Sequence, residues 1–359
     1  MSRVDVRLIG EGNAVGTALG NRPNDGSGYW PDFSNTGYLN EPDYPGSLTD
    51  YTGGMSQSGF VPVQVANDST ITYKRFLGKT GVGYPGPSNG DRLTFKGCLF
   101  EGTEPNDNLV QIYPPTWTRF EYCTFKPNQL SAPPGNDGTV TSSTGTTGTP
   151  YSQSWQLMAN FTVGAYVEFY RCDIWGGAGI QTTGGPDLAG AGKFQFCYIH
   201  DLADTTVPYG APSGQEYHHD GVGPDSEGGS GYTIVEDCTI ASRGNTNGVA
   251  LQGSSTYHHI YLRRNYWSGF GYFLAIGATT PWQGTNITVQ DNIMSAELQQ
   301  LFGPFYNAGN WNSGSATNTW SGNRFQVRAG DANTAYSTSD HGRYWHPSDN
   351  VSHASDYAG

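Results

Sequence analysis

The densest group of titratable side chains lies within residues 200–231. In it, His218, His219 and Asp220 directly precede Gly221 and Val222. Alternate residues of a strand share a face, so His218 and Asp220 would lie on the same side as Val222. If Val222 faces a core, Asp220 lies at the edge of the strand or at a bend, which Gly221 permits. The phrase therefore brings imidazole and carboxylate groups to one edge.

These residue types suit the cleavage of glycosidic bonds. Hydrolysis uses two carboxylic groups about 5 to 9.5 Å apart. The candidate partners of Asp220 are Asp225, Glu227 and Asp204. Elimination instead needs a base that removes a proton beside a uronate carboxylate, and His218 or His219 would be that base. The guanidinium that binds the acid would come from Arg243, Arg263 or Arg264. The residues leave both reactions open.

Metal binding is the alternative for the same segment. Calcium prefers several oxygen ligands, and the candidate ligands are Asp201 and Asp204. The acidic composition permits Ca²⁺ without requiring it. The imidazoles also allow a transition metal, with the ligand set His200, Asp201, His218, His219 and Asp220. A third interpretation is that these acids only cap turns.

A polar phrase, Asn245-Thr246-Asn247-Gly248, follows Asp220 by about one repeat of the pattern described below. It resembles the Asn-Thr-Asp-Gly phrase of polygalacturonase-type glycoside hydrolases, but Asn247 stands where those enzymes have an essential Asp. That family's paired Asp, Gly-His-Gly and Arg-x-Lys phrases are missing, which argues against membership. Aromatic rings with a polar tip suit sugar faces. The predicted substrate-binding residues are Tyr217, Arg243, Asn245, Asn247, Tyr257, Trp282 and Trp311.

The elements that position these residues follow from a phrase that recurs between Leu93 and Phe325. Each copy alternates apolar and polar residues, as a strand with one buried face does, and then reaches a Cys or Asn at a bend. These positions are Cys98, Cys123, Cys172, Cys197, Cys238, Asn265, Asn292 and Asn323. They differ by 25, 49, 25, 41, 27, 27 and 31 residues, so the shortest steps cluster at 25 to 27. This period predicts a solenoid whose coils align the Cys and Asn residues as a ladder.

A further strand follows each ladder position after a short interval. The predicted strands are 108–112, 155–158, 179–182, 220–223, 248–252, 271–276 and 302–306. Strand, bend, strand, loop, strand and loop then make one coil. We therefore predict an all-β fold, a single right-handed parallel β-helix of about eight or more coils with N- and C-terminal caps, in preference to a β-sandwich.

Composition argues against several classes of partner. The 359 residues include 31 acidic and 18 basic side chains, a formal charge of −13, without a basic run. Neither nucleic acid nor an anionic membrane surface is therefore expected as a partner. We also expect no signal peptide and no membrane insertion, since no apolar run reaches transmembrane length. The five cysteines occupy ladder positions, which predicts buried free thiols rather than disulfides.

Short motifs mark both ends of the chain. The first set is Pro31, Asn35-Thr36-Gly37, Leu48-Thr49 and Tyr51-Thr52-Gly53, and the second is Arg343-Tyr344-Trp345, Asn350-Val351 and Gly359. Together they resemble the opening and closing phrases of right-handed β-helix proteins of actinobacteria and their phages, with a pectate-lyase-like fold. Asp43, Tyr44 and Pro45 are inserted relative to that pattern. The resemblance implies a β-helix of the minor tail protein type.

The predicted domains are an N-terminal cap or attachment segment (1–53), the β-helix (54–325) with enlarged loops at 126–150 and 200–231, and a C-terminal cap (326–359). By resemblance, we expect a fibre- or spike-like minor tail protein of a phage that binds a cell-envelope polysaccharide, with cleavage left open. The alternatives are a secreted glycan hydrolase or lyase and an inert structural tail component. The expected location is the virion, or the extracellular space for the secreted enzyme. Other tail proteins are expected partners, and a homotrimer is left open.

Overall fold

The computed structural model describes the strands of the chain and the turns that join many of them. The described residues are 30–52, 61–63, 68–82, 92–102, 109–112, 117–126, 159–161, 166–175, 180–184, 191–200, 221–226, 232–242, 247–251, 258–270, 272–276, 284–295, 303–306, 311, 317–326 and 343–344. Within them, no helix is long and apolar enough to cross a membrane.

The strands form three long sheets and are numbered along the chain. The first sheet has eleven strands: β1 (Thr49–Asp50), β4 (Lys74–Leu77), β7 (Leu99–Glu101), β10 (Thr124–Lys126), β13 (Asp173–Trp175), β16 (Tyr198–His200), β19 (Thr239–Ser242), β22 (Tyr266–Gly269), β25 (Ile293–Ser295), β28 (Arg324–Gln326) and β29 (Arg343–Tyr344). A short 3₁₀-helix, Tyr38–Asn40, precedes β1.

The other two sheets have nine strands each. The second contains β2 (Val61–Val63), β5 (Thr80–Val82), β8 (Val110–Ile112), β11 (Ala159–Phe161), β14 (Ile180–Gly184), β17 (Val222–Ser226), β20 (Asn247–Leu251), β23 (Tyr272–Ile276) and β26 (Gly303–Tyr306). The third contains β3 (Ser69–Thr72), β6 (Arg92–Lys96), β9 (Trp117–Glu121), β12 (Tyr166–Tyr170), β15 (Ala191–Gln195), β18 (Tyr232–Glu236), β21 (His258–Arg263), β24 (Thr285–Gln290) and β27 (Thr319–Ser321).

Each strand pairs in parallel with the strand three places later along the chain, as in β9 with β12 and β12 with β15. One coil thus contributes one strand to each sheet, and the next coil stacks upon it. This confirms the predicted parallel β-helix. The pairing of β28 with β29 is antiparallel, so the first sheet ends on a strand that runs in the opposite direction.

The core is built from residues that stack on their equivalents in neighbouring coils. Phe76, Phe100 and Phe125 form one column, with ring centroids 4.7 and 4.9 Å apart. A second column contains Phe95, Phe120, Phe169 and Phe194, with centroids 5.1, 5.0 and 4.9 Å apart. The two columns meet edge to face, a favourable geometry for aromatic pairs. The apolar residues that alternate with polar ones in the sequence therefore form continuous stacks through the core.

The predicted ladder is present, and its eight members are buried. Asn265, Asn292 and Asn323 each donate from Nδ2 to a carbonyl one coil earlier, that of Val235, Leu262 and Val289, at 2.8 to 2.9 Å. Cys98, Cys123 and Cys172 direct their thiols to the equivalent carbonyls of Ile71, Phe95 and Phe120, at 3.4 to 3.5 Å. Cys and Asn thus occupy one structural position. All five cysteines are free and buried, as predicted.

A second column, directly before the ladder, was not predicted. The residue preceding each ladder position has a positive φ of 49° to 65°: Gly97, Tyr122, Arg171, Phe196, Asp237, Arg264, Asp291 and Gly322. The left-handed conformation turns the chain from the third sheet into the first. Six of the eight members are not glycine, although a side chain makes this conformation costly.

Residues 30–51, which we call the strap, run along the outer surface of the first sheet from late coils to early ones and end by joining that sheet as β1. The Trp30 ring packs on Tyr266, with centroids 5.6 Å apart, and Phe33 packs against Tyr198 and Ala241. Farther along, Tyr51 stacks on Phe76 at 4.7 Å, and β1 pairs with β4. The motif at the start of the chain therefore lies along the β-helix.

Local bonds shape the strap where Asn35, Thr36 and Gly37 occur. Asn35 accepts from the Asp32 amide at 2.9 Å and donates to the Trp30 carbonyl at 3.0 Å. Gly37 has a φ of 78°, and a Cβ there would lie 2.5 Å from Thr124 Oγ1. The amide of Gly37 donates to the carbonyl of Arg171 at 2.9 Å. Glycine is needed at this closest approach of strap and sheet.

Each predicted strand of the second sheet has a counterpart in the structure, but two of them are shifted along the sequence. The strand expected at 155–158 is Ala159–Phe161, which pairs with β8 and β14, and the one expected at 220–223 is Val222–Ser226. Both follow the long steps of the repeat, where enlarged loops make the interval after the ladder residue variable. Residues 126–150 and 200–231 each begin at the last residue of a described strand, Lys126 of β10 and His200 of β16, but most of both loops lies outside the described residues.

Candidate functional site

Most of the predicted site residues fall outside the described part of the chain. They are His218, His219, Asp220, Glu227, Tyr217, Asn245, Arg243, Tyr257, Trp282, Asp201 and Asp204. Asp225 lies in β17, in register with Thr183 of β14. Next to the phrase, Val222 is buried, as its predicted orientation requires. The catalytic, binding and calcium roles of this group stay predictions.

Two predicted binding residues are described, and both are buried. Asn247 is 2% exposed at the start of β20. Trp311 is also 2% exposed, belongs to the main core and lies 5.9 Å from the Trp320 ring. Trp311 also accepts a bond from Asn318 through its carbonyl. Because neither side chain presents surface to a ligand in this arrangement, we do not include them in the candidate site.

An aromatic row lies on the outer side of the third sheet. Trp117 and Tyr166 stand opposite each other on β9 and β12, with centroids 5.9 Å apart and ring planes 10° from parallel. Tyr232 continues the row from β18, and its ring centroid is 6.0 Å from that of Tyr166. All three side chains are half-buried. The three rings come from three of four successive coils, because residue 191 of β15 occupies the register position between Tyr166 and Tyr232.

A second aromatic row follows the corner between the third and first sheets. Tyr170 lies 6.2 Å from Tyr122 and 5.7 Å from Phe196, in edge-to-face geometry. The Arg171 guanidinium lies 5.4 to 5.9 Å from the rings of all three residues. Cation–π contacts of this kind stabilise the cluster and offset the cost of the left-handed backbone at Tyr122, Arg171 and Phe196.

Charged side chains separate the two rows. Arg119 of β9 donates from Nη1 to Glu168 Oε2 at 2.7 Å and from Nε to Glu121 Oε1 at 2.6 Å. The Tyr166 hydroxyl donates to the other Glu168 oxygen at 2.7 Å. Burial, followed by hydrogen bonding with Tyr232 and Glu168, raises the pKa of Tyr166 far above its usual range. Tyr166 therefore remains a neutral donor that fixes Glu168.

We call this surface the aromatic face: Trp117, Arg119, Tyr122, Tyr166, Glu168, Tyr170, Lys193, Phe196 and Tyr232. Lys193 lies on β15, in register with Glu168 on one side and Ile234 on the other. Along the helix axis, the central row thus reads Arg119, Glu168, Lys193 and Ile234. Two aromatic rows with polar groups between them can contact both the apolar faces and the hydroxyl groups of a sugar chain.

Arg263 and Arg264, considered above as ligands for a uronate, bind acids of the chain itself. Arg263 donates to Glu236 at 3.0 Å, and Arg264 donates to both oxygens of Asp237 at 2.9 and 2.8 Å. The side-chain bond to Asp237, partly opposed by burial, raises the pKa of Arg264. These contacts give both arginines a structural role between adjacent coils.

His200, included above in a transition-metal set, also has a partner within the fold. Its Nε2 lies 2.7 Å from Asp173 Oδ1, and its ring stacks on Tyr198 with centroids 3.8 Å apart. The pair lies on the first sheet, where Phe33 of the strap packs against Tyr198. Among the described residues there is no group of three or more His, Cys, Asp or Glu side chains that could hold a metal ion.

Sequence analysis missed the aromatic face because its members lie inside the repeated phrase that predicts the core. The signal is present: in Trp117-Thr-Arg119 and Tyr166-Val-Glu168, an aromatic residue stands two places before a charged one. With a period of two, both point outward. No family model matches the chain, and comparison with curated proteins and with solved structures found no significant match to either.

Proposed function

We propose that this β-helix binds a polysaccharide, with the sugar chain lying along the helix axis across the aromatic face. The observation that carries the proposal is the stacking of Trp117 on Tyr166 on an outer sheet surface. Core aromatics in this fold are fully buried, whereas these rings are half-buried and point away from the core. Ring faces flanked by hydrogen-bonding groups suit sugars.

The periodicity of the fold supports an extended polymer as the ligand. Neighbouring strands lie about 4.8 Å apart, so the aromatic face offers rings and polar groups at regular steps along the helix axis. An extended chain can use several such contacts in succession, which suits repeated weak interactions better than one enclosed pocket does. A small ligand would use only one part of this surface.

We place this binding in the biological role that the terminal motifs suggest. A minor tail protein of a phage that infects actinobacteria would meet cell-envelope polysaccharide as its first ligand. A secreted glycan-degrading enzyme is the alternative role for the same surface. In the described residues, Glu121 and Glu168 are both engaged with Arg119, which favours binding over hydrolysis at this face.

The test is the binding of purified protein to envelope polysaccharide from actinobacteria, measured by calorimetry. The Trp117→Ala/Tyr166→Ala variant should bind about tenfold more weakly, because each lost ring removes about 0.5 to 1.5 kcal/mol beyond its buried area. Tyr44→Ala, which removes a half-exposed ring from the strap, serves as the matched control. Equal affinity of the wild type and the double variant would contradict the proposal.

The same mixtures of protein and polysaccharide also show whether the polysaccharide is cleaved. New reducing ends indicate hydrolysis, and absorbance of unsaturated uronates indicates elimination. Loss of either product in Asp220→Ala would assign the reaction to the 218–227 segment. Binding without products by both proteins would leave a receptor-binding role.

A further inference from the structure

We infer that the aromatic face selects an anionic glycan and that Lys193 binds the acidic group of the sugar. This inference rests on the proposed function and adds the chemical class of the ligand. It depends on two independent observations. One is the charge of the third sheet relative to the whole chain, and the other is the pairing of the acids next to Lys193.

The outer side of the third sheet differs in charge from the rest of the protein. From β6 to the turn after β24, seven basic residues occur: Arg92, Lys96, Arg119, Arg171, Lys193, Arg263 and Arg264. Five acidic residues occur in the same elements: Glu121, Glu168, Glu236, Asp237 and Asp291. The whole chain has 18 basic and 31 acidic residues. Without Lys96, which pairs with Glu41 and Asp43 of the strap, six basic residues remain on this surface against five acidic ones.

The acids around Lys193 are committed to other partners. Glu168, directly opposite Lys193, uses one oxygen for Arg119 and the other for the Tyr166 hydroxyl. Glu236, on the next coil, bonds with Arg263, Arg264 and Gln195. Among the described residues no ion pair involves Lys193. The ammonium group of the half-buried Lys193 therefore remains available to an external anion.

The position of Lys193 suits a group carried by a sugar ring. Residue 191, in the same strand, lies in register between Tyr166 and Tyr232, whose rings approach to 6.0 Å. A ring that rests on these tyrosines would place its substituents over the central row, where Lys193 is the basic residue at that coil. A carboxylate or a phosphate satisfies this geometry, since both accept charge-assisted bonds from an ammonium group.

The experiment compares one envelope polysaccharide in three forms: intact, with its carboxylates reduced to alcohols, and with its phosphates removed. For wild type, we expect one of the two treatments to lower affinity by up to about fivefold, the upper end of the range for one exposed ion pair. Lys193→Gln should lose about the same factor on the intact polymer and be insensitive to that treatment. The treatment that matters identifies the acidic group.

Lys126→Gln is the control, because Lys126 lies on the first sheet with its side chain 48% exposed and 3.7 Å from Glu101. It should behave as wild type with all three polymers. Equal affinity of wild type for all three forms, together with no effect of Lys193→Gln, would overturn the inference while leaving polysaccharide binding intact. Failure of wild type to bind any form would instead reject the proposed function itself.

Discussion

Trp117 and Tyr166 lie on adjacent coils with their ring centroids 5.9 Å apart and their planes 10° from parallel. The 49-residue step of the repeat separates these two residues in sequence, so the fold brings them together across the longest insertion within the repeat. Arg92 extends the stack, because its guanidinium lies 5.8 Å from the Trp117 ring. Side chains of adjacent coils thus stack on one another on the outer surface as they do in the core.

Single substitutions at Trp117 test whether an aromatic ring at this position is the source of the binding affinity. Trp117→Phe keeps an aromatic face on β9 and should retain most of the affinity for the envelope polysaccharide. Trp117→Ala should weaken binding about fivefold, close to the value of one aromatic contact. Calorimetric titration measures both. Equal losses in the two variants would show that stacking is not the source of the affinity.

The asparagine ladder should contribute strongly to stability. In Asn292→Ala, the Leu262 carbonyl loses its donor, and the buried amide and Nδ2 of Asn265 lose their shared acceptor. Unpaired buried polar groups cost roughly 1 to 3 kcal/mol each, so we expect a loss of about 3 to 5 kcal/mol in the free energy of unfolding. Urea denaturation provides the measurement.

The chain supplies a matched control for that change. Cys238 accepts the Cys197 amide at 3.4 Å in the equivalent position, so Asn292→Cys should be less destabilising than Asn292→Ala. If the two variants lost the same stability, the hydrogen bonds would not be the cause.

The ion pair between Lys96 and Glu41 should hold the strap on the early coils. The Glu41 carboxylate has no exposed surface, and its two oxygens lie 2.9 Å from Lys96 Nζ and from the Tyr73 hydroxyl. Lys96→Met leaves that buried carboxylate without its cation, which costs roughly 3 to 5 kcal/mol. Adding Glu41→Gln to Lys96→Met should recover part of the loss, because no charge is then buried. If the stability losses of the two single variants simply add in the double variant, Lys96 and Glu41 are not directly coupled.

The pair of Lys96 and Glu41 also predicts the direction in which stability changes with pH. The hydrogen bond that Lys96 donates to Glu41, partly opposed by burial, raises the pKa of Lys96 above its ordinary value of 10.5. Its stabilising effect is therefore complete below pH 10.5 and is lost as pH rises through the folded-state pKa. The difference in unfolding free energy between wild type and Lys96→Met should stay constant from pH 7 to about pH 10 and narrow above it. A difference that narrows below pH 9 would contradict this assignment.

Gly221 should be intolerant of any side chain. A Cβ there would lie 2.6 Å from the carbonyl oxygen of Gly248 and 2.7 Å from Ile240 Cγ2. Gly221→Ala should therefore cost about 1 to 3 kcal/mol through overpacking. At Gly46 a Cβ would meet no atom within 4 Å, so Gly46→Ala carries only the strain of its φ of 84° and should cost less. Thermal unfolding of both variants tests the comparison.

The repeat in the sequence predicts the solenoid well because each coil must fill the same space as its neighbours. Cys98 and Asn323 are different residue types, yet the thiol of one and the amide of the other donate to equivalent carbonyls, those of Ile71 and Val289, so the pattern survives the change. The left-handed column escapes prediction because Tyr122, Arg171 and Phe196 are not residues that favour positive φ. Their conformation depends on contacts between coils, which a single copy of the phrase does not contain.

The candidate site was harder to predict for a related reason. A cluster of titratable residues such as His218 to Asp220 is visible within one stretch of sequence, whereas the aromatic face combines residues from four coils. Outward positions on one strand also carry no sign of which neighbours will lie beside them. Only the register of β9, β12, β15 and β18 brings Trp117, Tyr166, Lys193 and Tyr232 to one surface.

The strap sets a limit on how this protein can change in length. Solenoids gain and lose coils readily because each repeat contacts only its neighbours, but here Trp30 is bound to Tyr266 while Glu41 is bound to Lys96. One added coil between those two anchors would move them apart by about 4.8 Å, out of register with a segment of fixed length. The strap therefore fixes the number of coils between its two anchor points, and duplications of whole coils should be tolerated only outside that stretch.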